Sequence, residues 1–349
     1  MSFSVVIRAD ANSLVGMGHI MRCLSIADSF VSVYNDVRIM FVLADDSVAQ
    51  LVNDKGYETF VLGSDYSVMD DELSLWTDQL LADVVVVDSY YVTASYFKKI
   101  KDYGVGKLVY IDDLCSSPYP VDIIINYNVY APDLDYEALY SSSEYKKPMI
   151  MSGPTYTPLR SMFRGVEKKN QKRIVENVIL STGGADSYHI AVNFIKELLA
   201  NNDMVFNYHI LIGALNTDRD EIESLVLNND RITIHENVSD MRTLLSKMDI
   251  AVSAAGTTLY EICTCGVPLI TYVIADNQIQ GAAAFEKMGL TESLGDLRNE
   301  KNPSLTILCG IGELAADYER RCEIGERMQM MIDGYGADRI INGIMEASH

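Results

Sequence analysis

The stretch RADANSLVGMGHIMRCLSIA, Arg8 to Ala27, decides how this chain folds. An apolar run precedes it (Phe3, Val5, Val6, Ile7), and Gly16-Met17-Gly18 interrupts it. Beyond the glycines, Ile20, Leu24, Ala27 and Val31 recur at helical spacing. A strand, a glycine turn and a helix in that order place backbone N–H groups at a positive helix end, where a phosphate or another anion can sit. His19 stands in the first turn of that helix. A titratable imidazole beside an anion site suggests chemistry. From spacing alone, a tight turn with a capping histidine explains the motif equally well, since G-x-G-H lacks the rest of a dinucleotide fingerprint.

Outward from this motif the pattern repeats. Strands are expected at 5–8, 38–43, 83–88, 107–111 and 122–125, with amphipathic stretches at 47–55 and 95–103. Val84-Val85-Val86-Val87 is the kind of run found in parallel strands buried on both faces. A Pro- and Ser-rich stretch from Pro148 to Pro158, then the charged run Glu167 to Arg173, breaks the alternation. It restarts with strands at 178–181, 206–212, 232–235, 250–254 and 269–272, and helices at 187–200, 219–227, 258–265 and 278–288. The expectation is an α/β protein of two Rossmann-like domains, 1–155 and 156–349, facing each other across a cleft, with ligands at the carboxyl ends of the strands. A last helical pattern, about 312–332, has no strand after it and is expected to pack back on the N-terminal domain.

Composition narrows the function. The chain has 349 residues, is 48% hydrophobic and carries a net charge of −21. That field repels a phosphate backbone and argues against nucleic-acid binding. A nucleotide can still be held, because glycine turns and helix ends use backbone donors. No apolar run approaches the roughly 20 residues of a membrane span, and no signal peptide is visible. The six cysteines include no C-x-x-C pair, so neither a zinc site nor a disulfide framework is indicated, and Cys263-x-Cys265 reads as buried helical thiols. A cytoplasmic monomer is expected, with no metal and no cofactor.

Four further groups carry candidate chemistry. Ser181-Thr182-Gly183-Gly184-Ala185-Asp186 joins a strand to a helix, and its glycines let the backbone approach a phosphate, although a plain turn fits as well. Ser253-Ala254-Ala255-Gly256-Thr257-Thr258-Leu259-Tyr260-Glu261 is more specific. There Gly256, Thr257 and Thr258 open a helix suited to a diphosphate, and Glu261 could accept from both ribose hydroxyls or simply complement the helix dipole. Ala275-Asp276-Asn277-Gln278 offers amides to sugar hydroxyls or acetamido groups, with Asp276 also a plausible N-cap. Asp88-Ser89-Tyr90 and Asp112-Asp113 end strands and either face the cleft or cap the following turn. His209 and His235 read as structural; His189 fits either role.

Taken in order, the RADAN…GMGHIMRCLSIA, VDSY, IDD, NYNVY, YTPLR, TGGAD, AGTTLYE and ADNQ segments resemble the UDP-2,4-diacetamido-2,4,6-trideoxy-β-L-altropyranose hydrolases of pseudaminic acid synthesis, whose relatives include spore-coat polysaccharide proteins. The resemblance runs from about residue 3 to residue 290. The GTTLYE…GVPLI…DNQ portion also resembles the UDP-GlcNAc transferase that makes lipid II, which implies the GT-B fold. The resemblance further implies a UDP-sugar substrate and release of UDP, with His19 as the essential histidine and Tyr90 and Asn277 in the active site. It places uridine and diphosphate contacts at Gly183, Gly184, Gly256, Thr257, Thr258 and Glu261, and adds Asp10, Gly18, Arg22 and Gln278 to the substrate-binding set. Ser89 stands where a relative can have His, and Asn12 where Ser is usual, so the sugar itself stays open.

The mechanism expected is attack of water on the anomeric carbon with inversion, His19 taking the proton. Imidazole suits this, with an ordinary pKa of about 6.5. Two other readings stand beside it: a GT-B glycosyltransferase, with a sugar or lipid acceptor in place of water, and a protein that binds a UDP-sugar without consuming it.

Overall fold

The computed structural model describes residues 3–12, 15–34, 36–201, 205–213 and 215–347. Contacts divide the chain into two compact units, 1–161 with 334–349, and 162–333. The first holds seven strands: β1 (Phe3–Ala9), β2 (Val37–Leu43), β3 (Glu58–Val61), β4 (Val84–Asp88), β5 (Lys107–Ile111), β6 (Ile123–Asn126) and β7 (Met149–Ser152). They form one sheet in the order β3-β2-β1-β4-β5-β6-β7, every pairing parallel. All five residues of β4 are buried, as its valine run requires of a central strand covered on both faces.

The strand order reverses between β1 and β4, and the quoted stretch spans that point; its Ser13 and Leu14 lie outside the described residues. Gly16 takes φ +80°, a left-handed conformation that glycine adopts at little cost, and its N–H closes onto the Asn12 carbonyl at 2.8 Å. The helix Gly18–Val33 follows and buries Ile20, Cys23, Leu24, Ala27 and Phe30 against the sheet. His19 and Arg22, three residues apart and therefore neighbours on the helix surface, are buried at its N-terminal end.

The second unit holds β8 (Asn177–Ser181), β9 (Asn207–Leu211), β10 (Ile232–His235), β11 (Ile250–Ala254), β12 (Leu269–Val273) and β13 (Glu292–Asp296), in the order β10-β9-β8-β11-β12-β13, again all parallel. Its reversal lies between β8 and β11. Two parallel α/β sheets are the architecture the alternating pattern predicts.

Three strands escape the sequence reading: β3, β7 and β13. Each sits at a sheet edge, and none has the fully buried pattern of β4, β11 or β12. An edge strand buries less, so it lacks the apolar run that marks a central one. β7 falls within the Pro148–Pro158 stretch read as a break.

The C-terminal helices also differ from expectation. The 312–332 pattern belongs to two helices, Pro303–Ala316 and Tyr318–Met331, both in the 162–333 unit. Asp317 ends the first and caps the second, accepting from the Arg320 N–H at 2.9 Å. The helix that packs on Gly18–Val33 is instead Gly336–Glu346, which buries Ala337, Ile340, Ile341 and Ile344. Its first residue must be small, since a Cβ on Gly336 would lie 2.1 Å from the Thr157 carbonyl oxygen. Ser29 and Asp338 hydrogen-bond across the two helices. Among the described residues, no helix is long and apolar enough to cross a membrane.

Candidate active site

At the β1/β4 reversal a buried ionic cluster surrounds His19. Asp88 ends β4, is 1% exposed and faces the helix Gly18–Val33. Its Oδ1 lies 2.6 Å from His19 Nδ1. Arg22 donates to the same carboxylate through Nε and Nη2, both at 2.5 Å, a bidentate pair of the strongest kind. Burial pushes the Asp88 carboxyl up, but Arg22 and His19 outweigh it and hold the group well below the usual carboxylate range. An ionised Asp88 can only accept, so the Nδ1 it meets carries the proton; Arg22 Nη2, 3.0 Å from the same nitrogen, is then a second donor that bonds Asp88 Oδ1 instead. Nε2 is then the basic nitrogen of the neutral ring, and it has no hydrogen-bond partner among the described residues.

Arg22 also binds Asp113 Oδ2 at 2.9 Å and the Tyr127 hydroxyl at 2.6 Å through Nη1. Tyr90 donates to Asp113 Oδ2 at 2.9 Å, and Asn128 Nδ2 donates to Asp113 Oδ1 at 2.9 Å. The Tyr90 ring stands edge-on to His19, centroids 4.7 Å apart. Burial, then the Asp113 charge, pushes the Tyr90 phenol above its ordinary value, so it keeps its proton at neutral pH. Tyr90 here packs against His19 and donates to Asp113.

Asp10 borders the same space. Its Oδ2 takes Arg8 Nη1 at 2.6 Å and its Oδ1 takes the Ala44 N–H at 2.7 Å. Arg8 is in turn clamped by Glu72 at 2.7 and 2.8 Å. Gly18 begins the helix that carries His19. Asp112 closes a turn, accepting from Leu114 and Cys115 N–H at 2.9 and 3.0 Å.

The second unit gathers a different set. Gly183 follows β8 with φ +84°, and Gly184 lies so near the β9 loop that a Cβ on Gly213 would sit 2.3 Å from its carbonyl oxygen. Asp186 closes this turn by accepting from Ile190 and Ala191 N–H, both at 2.9 Å. After β11, Gly256 is exposed, and Thr257, Thr258 and Glu261 are half-buried around the start of the helix Thr258–Cys265. Cys263 and Cys265 are buried on that helix. After β12, Asn277 is exposed in the turn Asp276–Gln278, while the Gln278 side-chain oxygen accepts from the Ile274 N–H at 2.9 Å and closes the turn. His209 and His235 face each other on β9 and β10, Nδ1 to Nε2 2.9 Å. His189 pairs with Asp218 at 2.7 Å on the surface.

The structure thus joins Asp10, Gly18, His19, Arg22 and Tyr90 in one unit. It places Gly183, Gly184, Gly256, Thr257, Thr258, Glu261, Asn277 and Gln278 at the carboxyl ends of three neighbouring strands, β8, β11 and β12, in the other. Sequence reasoning did not pair Asp88 with His19 and overlooked Tyr127. One signal was available: a carboxylate ending an all-valine buried strand needs a cation, and Arg22 is one turn from His19.

No protein-family model matches the chain. A search of characterised and catalogued proteins finds the spore coat polysaccharide biosynthesis protein SpsG of Bacillus subtilis, 24% identical over 96% of both chains. It also finds the UDP-2,4-diacetamido-2,4,6-trideoxy-β-L-altropyranose hydrolase of Campylobacter jejuni, 26% identical over 72% of this chain and 85% of that one. An uncharacterised protein of Methanocaldococcus jannaschii is 24% identical over 79% of this chain, which spans only 56% of that relative. Among solved structures, MurG of Acinetobacter baumannii superposes with a TM-score of 0.65 at 12% identity, covering 98% of this chain and 99% of that one. S. aureus MnaA, solved with UDP, gives 0.66 at 11% identity over 98% and 96%. The chain is therefore similar in sequence to proteins named as UDP-2,4-diacetamido-trideoxy-altropyranose hydrolase and SpsG, and it has the two-domain GT-B fold, shared with solved structures of a calicheamicin glycosyltransferase and a Neisseria meningitidis UDP-GlcNAc 2-epimerase, each at a TM-score of 0.63.

Proposed function

We propose that this protein hydrolyses a UDP-2,4-diacetamido-2,4,6-trideoxy sugar at the anomeric carbon with inversion, releasing UDP and the free sugar for nonulosonate synthesis of the pseudaminic acid type. One observation carries the reading: His19 is held through Nδ1 by an ionised, buried Asp88, with Nε2 left as a base. The sequence relatives supply the substrate class.

In this mechanism His19 Nε2 takes a proton from water as the water oxygen bonds to C1. The bond from C1 to the diphosphate oxygen breaks, and UDP leaves with the electron pair. Asp88 orients the ring and stabilises the imidazolium formed, as the carboxylate of a catalytic triad does. Arg22 directs four of its five N–H groups at Asp88, Asp113 and Tyr127, so its main part is to position the carboxylate. Tyr90 fixes the imidazole plane. The Gly183-Gly184 and Gly256–Thr258 turns take the diphosphate through backbone N–H groups, which stabilise charge on the leaving group. Glu261 takes the ribose, and Asn277 an acetamido group.

A GT-B glycosyltransferase is the second reading, because the fold is shared with such enzymes. A panel of UDP-diacetamido sugars, assayed for UDP release in buffer with no acceptor, decides between them. Turnover of at least one member is expected. Silence across the panel until an alcohol acceptor is added would establish the transferase.

A further inference from the structure

A half-open pocket with about 10 Å³ of water-accessible space lies beside His19, lined also by Asp10, Ser89, Val15, Tyr66 and Tyr91. It opens to solvent on one side, and the water-accessible space in it is about what one water molecule occupies. Its polar groups have capacity to spare. Among the described residues each Asp10 oxygen is used once, by Arg8 or by the Ala44 N–H, and a carboxylate oxygen offers two acceptor sites. Ser89 Oγ accepts from the Tyr91 N–H at 3.1 Å, which leaves its O–H to donate. Asp88, by contrast, is committed to His19 and Arg22.

We propose that this cavity seats the attacking water and that Asp10 and Ser89 are its positioning residues, an inference that rests on the hydrolase reading above. The water gives one hydrogen to His19 Nε2 and the other to Asp10, and accepts from the Ser89 hydroxyl. Three of its four tetrahedral positions are then filled, and the fourth, a lone pair, is the one that bonds to C1. As that bond forms, the proton on the His19 side passes to Nε2 and the C1–O bond to the diphosphate breaks, so charge and atoms balance. In this chain the Ser89 hydroxyl orients the lone pair, and an alcohol, with a single O–H, cannot donate to both His19 and Asp10.

Turnover in buffer containing methanol at a few molar tests this. The wild-type enzyme is expected to give free sugar and no methyl glycoside. Ser89→Ala removes the donor and widens the cavity: kcat should fall about a hundredfold, the scale on which misplaced reactants lose rate, with KM unchanged and methyl glycoside now formed. Ser89→Thr, which keeps the hydroxyl, should restore most of kcat. Methyl glycoside from the wild type in proportion to methanol, or an unchanged kcat in Ser89→Ala, overturns the proposal while leaving the hydrolase reading intact. Failure of the hydrolase reading has another signature, no UDP release by the wild type in buffer alone.

Discussion

Both units reverse their strand order at the centre of a parallel sheet, yet the two reversals are furnished in opposite ways. Between β1 and β4 the loops bring in titratable and charged side chains: His19, Arg22 and Asp88, with Asp113 beside them. Between β8 and β11 they bring in glycines, threonines and backbone N–H groups. Two aspartates show the consequence. Asp88 is buried beside a guanidinium, which holds its carboxyl well below the ordinary range. Asp186 is buried and bonded to backbone N–H groups, and desolvation raises its pKa from 3.8 to about 6. A side-chain cluster can move a proton. A set of backbone dipoles can hold an anion without titrating. In the proposed mechanism, one fold used twice separates the two tasks.

The comparison breaks most visibly at His19. His19→Asn should lower UDP release by about a hundredfold to ten-thousandfold, the usual loss for a general base, while UDP affinity by calorimetry stays near wild type. A near-normal rate would make His19 a structural cap and leave the first unit without its base.

Asp88→Asn should follow. It leaves Arg22 buried with Asp113 as its remaining carboxylate and permits the wrong His19 tautomer. Breaking a buried pair costs about 3–5 kcal/mol, so denaturant unfolding should show a loss on that scale together with loss of turnover. Full stability in the variant would mean that the cluster contributes little to the fold.

Asp186 gives the opposite pH dependence. A carboxyl whose folded pKa lies above its unfolded value contributes stability below the unfolded pKa and loses it as pH rises through the folded one. The wild type should lose stability between pH 3.8 and about 6 on this account, by about 3 kcal/mol at 1.36 kcal/mol per unit. In Asp186→Asn that slope should flatten. An identical slope in the variant would assign the pH dependence to other groups. Asp88 works the other way, its contribution being lost only as pH falls below the ordinary carboxylate range.

The smallest effect sharpens the second unit's role. Glu261→Ala should weaken UDP binding by roughly 1.5–3 kcal/mol, the worth of a hydrogen bond to a charged group, with the pH dependence of turnover unaltered. Unchanged affinity would return Glu261 to a helix-dipole residue.

What the sequence disclosed follows the same division. The glycine turn before His19, the valine strand β4 and the Gly256–Glu261 helix start are local patterns, and each is found where its spacing predicts. The edge strands β3, β7 and β13 were illegible because half-exposed strands need no apolar run. The ionic cluster was illegible for another reason: Arg22 meets Asp88 and Asp113 across 66 and 91 residues of chain, and no spacing rule links positions that only a sheet brings together. The helix Gly336–Glu346 was missed similarly, since its place on Gly18–Val33 depends on the close approach of Gly336 to Thr157.

The central claim is that His19 directs water to carbon. Turnover of the purified UDP-sugar in ¹⁸O-labelled water, without an acceptor, tests it directly. The account predicts label only on the anomeric carbon of the released sugar, unlabelled UDP, and the inverted anomer in NMR spectra recorded before mutarotation. Label in UMP or sugar phosphate would show attack at phosphorus and contradict it.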